Sequence, residues 1–143
     1  MVGTRKSYLV LLADDSEDDR FFLKRALASL PVVKICEETT DGEDAIDYLS
    51  AQGPYADRTK YPFPDLLLLD LNMPRKSGYE VLEWIKSRHF KNLPVFVVSN
   101  SLQDTDRQRC NELGASAVYP KGITDTEHAD LIAKIEKQIK DAS

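Results

Sequence analysis

Residues 9–20 read LVLLADDSEDDR: five apolar side chains, then five carboxylates within the next six positions. An apolar run this short fits a buried strand and is too short for a buried helix. Like charges this close repel one another, and beside an apolar core they are costly unless a cation compensates them. The last three acids have an ordinary use. With Asp15 or Ser16 as a helix cap, Glu17, Asp18 and Asp19 favour the positive N-terminal end of the helix that follows. Asp14 and Asp15, set at the very end of the apolar run, are left without a cause.

Outward from this stretch the two hydrophobic periods alternate. The strand Tyr8–Ala13 is followed by a helical pattern of Phe21, Phe22, Arg25 (by its stem), Leu27 and Leu30, which stops before Pro31. Val32–Cys36 reads as a second strand, and Ala45, Ile46 and Leu49, after Asp41 and Gly42, as a second helix. Residues 53–64, GPYADRTKYPFP, hold three prolines and a glycine and read as a loop inserted within the domain. DLLLLD at 65–70 is the clearest buried strand. NMPRKSG is then a turn, and Val81, Leu82 and Ile85 mark a third helix that opens on a capping box, SGYE. Pro94–Ser99 is a fourth strand, SLQD a cap for a helix carrying Cys110 and Leu113, and Gly114 its end. Ala117–Tyr119 is a short fifth strand. TDTE caps a last helix with Leu131, Ile132, Ile135 and Ile139 on one face.

Strand alternating with helix throughout predicts an α/β fold with right-handed crossovers, a parallel sheet and helices on both faces. Ligands of such sheets bind outside the carboxyl ends of the strands, at a topological switch point. The first strand ends in Asp14-Asp15, the third in Asp70 and the fourth in Ser99, and the fifth is followed by Lys121. In the flavodoxin-like order 2-1-3-4-5 the first and third strands are neighbours, so their carboxylates converge. Hard oxygen ligands without His or Cys suit Mg2+, which keeps some waters and commonly bridges to a phosphoryl group. A carboxylate, a hydroxyl and an ammonium around such an ion suit phosphoryl transfer, which is mostly positioning and charge neutralisation.

The chain has 143 residues, 42% apolar and 30% charged, as expected of one globular domain over 1–143. A net charge of −5 and the lack of a basic cluster argue against nucleic acid as a partner. No apolar run is long enough to span a bilayer, and the segment after Arg5 and Lys6 has no cleavage-like site, so neither membrane nor signal peptide is expected. Cys36 and Cys110 lack metal-ligand spacing and read as reduced thiols of a cytoplasmic protein. His89 and His128 read as surface residues, and Trp84 as packing.

The pattern ADD, DLNMP-x-x-x-G, a Ser ending the fourth strand and a Lys after the fifth resembles the receiver domain of two-component response regulators, from about Tyr8 to Lys140. The resemblance implies that Asp70 is the phosphoacceptor. It implies that Asp14 and Asp15 hold Mg2+ with Asp70 and the backbone carbonyl of Asn72, and that Ser99 and Lys121 contact the phosphoryl oxygens. It implies a sensor histidine kinase as donor, a downstream protein or phosphotransfer protein as recipient, and no enzymatic turnover beyond the domain's own phosphorylation and dephosphorylation. With three residues after the last helix, a stand-alone regulator is expected. The DLNMPRKSG turn and the Tyr/Pro-rich loop before it are similar to small regulators that partner bacterial phytochromes, which implies a phytochrome-type kinase and a homodimer.

Three positions depart from that pattern. Gly122 stands where a proline follows the lysine, Val118 where the aromatic switch residue lies, and Asn100 where a small residue follows the Ser or Thr. Tyr119, one place after Val118, is expected on the opposite side of its strand. Asn72 and Ser101 lie where the family tunes phosphoryl lifetime. The alternatives are a phosphorylation-independent interaction module and a haloacid-dehalogenase-type phosphatase. The latter needs an Asp where this chain has Asn72 and places its metal acids late in the chain.

Overall fold

The computed structural model describes residues 7–88, 90, 92–100 and 102–142, so the expectations placed on Arg5, Lys6, His89 and Ser101 lie outside the described residues. The elements follow in the order β1 (Tyr8–Ala13), α1 (Glu17–Leu27), β2 (Val33–Thr39), α2 (Gly42–Leu49), β3 (Leu66–Leu69), α3 (Gly78–Ser87), β4 (Val95–Ser99), α4 (Asp104–Glu112), β5 (Ala117–Pro120) and α5 (Ala129–Ala142). The strands form one parallel sheet in the order β2-β1-β3-β4-β5, as the alternating periods predict.

Each strand alternates sides, so the sheet divides the interior into two apolar layers. On one side Leu11, Leu67, Leu69, Val95 and Val97 meet Ala45, Tyr48 and Leu49 of α2, Val81, Leu82 and Ile85 of α3, and Cys110 of α4. On the other, Tyr8, Val10, Leu12, Leu66, Leu68, Phe96 and Val98 meet Leu23 and Leu27 of α1 and Leu131 and Ile135 of α5. Leu66–Leu69 are buried on both faces, and each such side chain contributes roughly 2 kcal/mol on leaving water. The register of β1 against β2 slips between Val10 and Leu11, where Cys36 is the extra residue.

The proline-containing loop is anchored rather than loose. It holds a 3-10 turn at Gly53–Tyr55, and the buried Tyr55 packs with Tyr48 and Tyr61 at ring separations of 5.0 and 5.3 Å. Arg58 donates to the carbonyls of Leu49 and Tyr61 at 2.8 and 2.9 Å, tying the loop to the end of α2.

Four expectations need correction. The inward stripe of α1 is Leu23, Ala26 and Leu27, continued by Leu30, the i, i+3, i+4, i+7 spacing of a helix face. Phe21 is 56% exposed and Arg25 lies outside with it, its guanidinium over the Phe21 and Phe22 rings at 5.8 and 5.3 Å. The N-cap of α4 is Gln103, whose N–H bonds the Asp106 carboxylate at 2.9 Å. The Thr124–Glu127 reciprocal bonds close a turn that precedes α5 rather than its first helical turn. His128, expected at the surface, ends that turn and is 1% exposed, its Nδ1 without a hydrogen-bond partner among the described residues.

Burial holds the His128 imidazole below the ordinary histidine range, although Glu127 and Asp125 pull the other way. The unfolded chain therefore takes up a proton that the folded protein refuses. Stability present above the unperturbed pKa of about 6.5 is lost as pH falls below it. Urea midpoints measured between about pH 7 and pH 5 should fall more steeply for the wild type than for His128→Leu. Parallel curves would show that His128 does not contribute to acid lability.

Candidate functional site

The site begins with strand register. Ala13 of β1 pairs with Leu69 of β3, so Asp14 and Asp70 leave the sheet side by side at the switch point. Their backbone N–H groups continue the ladder: Asp14 donates to the Thr39 carbonyl at 3.0 Å and Asp70 to that of Ala13 at 2.9 Å. Both side chains are buried, with Asp14 1% and Asp70 4% exposed, while Asp15 projects into solvent. One oxygen from each of Asp14, Asp15 and Asp70 lies within 4.8 Å of the others, a spacing that a single cation can bridge.

Ser99, at the end of β4, is fully buried, and its Oγ donates to Asp70 Oδ1 at 2.9 Å. The backbone N–H of Lys121 donates to the Ser99 carbonyl at 3.1 Å and extends the β4–β5 pairing by one residue. Its ammonium then reaches Asp14 Oδ2 at 3.0 Å, Asp70 Oδ2 at 3.2 Å and Asp19 Oδ2 at 2.7 Å. Asn72 is exposed, and its N–H donates to Asp70 Oδ1 at 3.4 Å. The residues singled out from sequence as Asp14, Asp15, Asp70, Ser99 and Lys121 are thus brought together at one edge of the sheet.

Two residues of the site went unrecognised in the sequence. An acid in the first turn serves the helix dipole, yet the Asp19 carboxylate also makes the shortest contact to Lys121. Its place was legible in principle. Ser16 caps α1 and accepts from the Asp19 N–H at 3.2 Å, and a side chain at that third position folds back over the helix start. Arg20 donates to the Asp14 carbonyl at 2.8 Å and to Glu38 at 2.9 Å, bracing the acidic loop from α1 to β2.

Burial pushes the Asp14 carboxyl above its ordinary range, opposed by the Ser16 N–H and the Lys121 charge. Burial also works against the Lys121 charge, but the Asp19 hydrogen bond and the Asp70 and Asp14 charges outweigh it and hold Lys121 above the usual lysine range. Asp14 Oδ2 is buried and faces that ammonium without hydrogen-bond geometry. Three carboxylates share one ammonium and Asp15 stands beside two of them, which leaves an excess of negative charge. An all-oxygen donor set with one buried oxygen lacking a hydrogen bond fits a hard divalent cation.

The response regulator receiver domain family model matches residues 10–136. The chain belongs to this family. The receiver domain is 35% identical over 114 residues to the response regulator Rcp1 of a Synechocystis species, covering 79% of this chain and 76% of Rcp1. The Mn2+-bound form of Rcp1 superposes with a TM-score of 0.77 at 30% identity, over 90% of this chain and 91% of that one. The phosphorylated cyanobacterial phytochrome response regulator RcpA gives 0.78 at 32% identity, over 92% of both chains. Sensor histidine kinase CheAY of Helicobacter pylori is 31% identical over 115 residues, 80% of this chain, which spans 13% of that protein's length.

In this receiver domain the departures have definite places. Val118 packs in the layer beneath α2, α3 and α4, whereas Tyr119 points into the opposite layer, 6.2 Å from Phe96 between ring centroids. Asn100 is exposed beside Ser99. Gly78, which opens α3, packs so closely on the Asp70 backbone that a Cβ there would collide with the Asp70 carbonyl oxygen. Its N–H donates to the Leu71 carbonyl at 2.9 Å. Gly78→Ala should therefore destabilise the fold by about 1–3 kcal/mol in urea unfolding. An unchanged midpoint would mean that the loop after β3 shifts freely.

Proposed function

We propose that the domain accepts a phosphoryl group on Asp70 from the phosphohistidine of a sensor kinase and switches its protein contacts in response. The observation that carries this reading is the convergence of three carboxylates within 4.8 Å, with Ser99 and Lys121 both on Asp70. An Asp70 oxygen attacks phosphorus and the phosphorus–nitrogen bond of the donor breaks. Its electron pair stays with the imidazole, which takes a proton from solvent. Asp14, Asp15, Asp70 and the Asn72 backbone carbonyl would hold Mg2+, which supplies charge neutralisation for the transferring group. Ser99 already donates to one Asp70 oxygen and Lys121 to the other, so each is placed to follow a phosphoryl oxygen bound there. Turnover is then limited to loss of the domain's own phosphoryl group. At the position where a dehalogenase-type phosphatase needs a proton-donating Asp, Asn72 offers an amide.

We read 1–143 as one receiver domain with an insertion at 53–64, working in the cytoplasm. Among the described residues no helix is long and apolar enough to cross a membrane. Similarity to the cyanobacterial phytochrome response regulator RcpA supports a phytochrome-type kinase as the donor. A homodimer, with a downstream or phosphotransfer protein as recipient, completes the reading.

Intact-mass analysis after incubation with acetyl phosphate and Mg2+ tests it. One phosphoryl adduct is expected, absent in Asp70→Asn and absent without the cation, with Lys121→Ala accumulating it at least about tenfold more slowly. A folded wild type that forms no adduct would make this a phosphorylation-independent interaction module.

A further inference from the structure

Three carboxylates share the Lys121 ammonium, and they are not equivalent. Asp14 and Asp70 belong to the acidic triad suited to a cation, and Asp70 is also the proposed phosphoacceptor, so this inference rests on the function proposed above. Once a cation draws on Asp14 and a phosphoryl group occupies Asp70, both are claimed elsewhere. Asp19 stands outside the triad and makes the shortest of the three contacts, a charge-assisted hydrogen bond of 2.7 Å.

We propose that Asp19 is the positioning residue for Lys121, the partner that keeps the ammonium aimed at Asp70 throughout the phosphorylation cycle. The geometry gives it the means. Asp19 sits at the third position of α1, its N–H fixed by the Ser16 cap, and α1 is docked through Leu23, Ala26 and Leu27. The Asp19 side chain is 24% exposed, so it keeps a wet edge, while that of Lys121 is 7% exposed and depends on protein partners. On the backbone side Lys121 is followed by Gly122, which supplies no ring to restrict the chain. A side-chain tether from a different element takes over that restraint. Asp19 does not touch the reacting atoms; it acts through Lys121.

The test uses the full chain with saturating Mg2+, so that a loss of cation affinity does not slow the reaction. Asp19→Asn should retain the thermal midpoint and slow adduct formation from acetyl phosphate about tenfold, while Asp19→Glu recovers part of the rate. In a Lys121→Ala background, Asp19→Asn should cause no further slowing. Equal slowing in both backgrounds, or none in the wild-type background, would overturn the proposal.

A second readout does not require phosphorylation: the Lys121 ammonium resonance in 1H–15N spectra of the Mg2+-loaded protein, assigned with Lys121→Arg. It should be sharp in the wild type and lost to exchange in Asp19→Asn. Its survival in that variant would overturn the proposal. An expected change in this resonance, with no adduct in the wild type, would instead place the failure in the proposed phosphorylation.

Discussion

Negative charge gathered at the end of an apolar sheet is the constraint around which this structure is arranged. Asp14 and Asp70 are almost wholly buried, next to each other, and one ammonium stands between them. Carboxylates in that position would drive one another to protonate if Lys121 did not answer them. The surrounding contacts serve the same end. Ser99 donates to Asp70, the Ser16 N–H to Asp14, and Arg20 brings a second cation under the Asp14 carbonyl. The site is therefore electrostatically incomplete: among the described residues, one buried oxygen of Asp14 has no hydrogen-bond donor.

What tolerates this arrangement is the apolar sheet below it. Four consecutive buried leucines in β3, flanked by β1 and β4, hold Asp70 at a fixed height beside Asp14. A one-residue slip between β1 and β3 would turn each leucine into the opposite apolar layer and take Asp70 out of line with Asp14, so packing and site share one register. The loop after β3 is closed down onto Asp70 by Gly78 and braced from α2. There Arg75, in a left-handed conformation at φ 66°, faces Asp41 and Glu43.

The strands and the convergence of the site were legible because both follow from short-range patterns. An apolar run ending in a polar residue marks a strand and its carboxyl end at once, which located Asp14, Asp70 and Ser99. Lys121 followed from its place after β5. Asp19 was not legible in the same way, since an acid in a first helical turn has an ordinary use and its partner lies 102 residues away. The inward face of α1 is not legible from apolarity alone: Phe21 and Phe22 are more apolar than Ala26, yet Ala26 turns inward while Phe21 is exposed and Phe22 half-buried, with the Arg25 guanidinium over both rings. The burial of His128 is not legible because a histidine in a polar turn carries no hydrophobic period.

Val118 and Tyr119 are consecutive residues of β5, yet each reports to a different apolar layer. The sheet acts as a partition: among the described residues, the buried side chains of α2, α3 and α4 belong to one apolar cluster and those of α1 and α5 to the other. The two outer surfaces are consequently separable inheritances. Substitutions on the outward faces of α2, α3 and α4 leave the layer packed under α1 and α5 intact, and the reverse also holds. Either outer surface is thus free to diverge while the layer beneath the other keeps its packing.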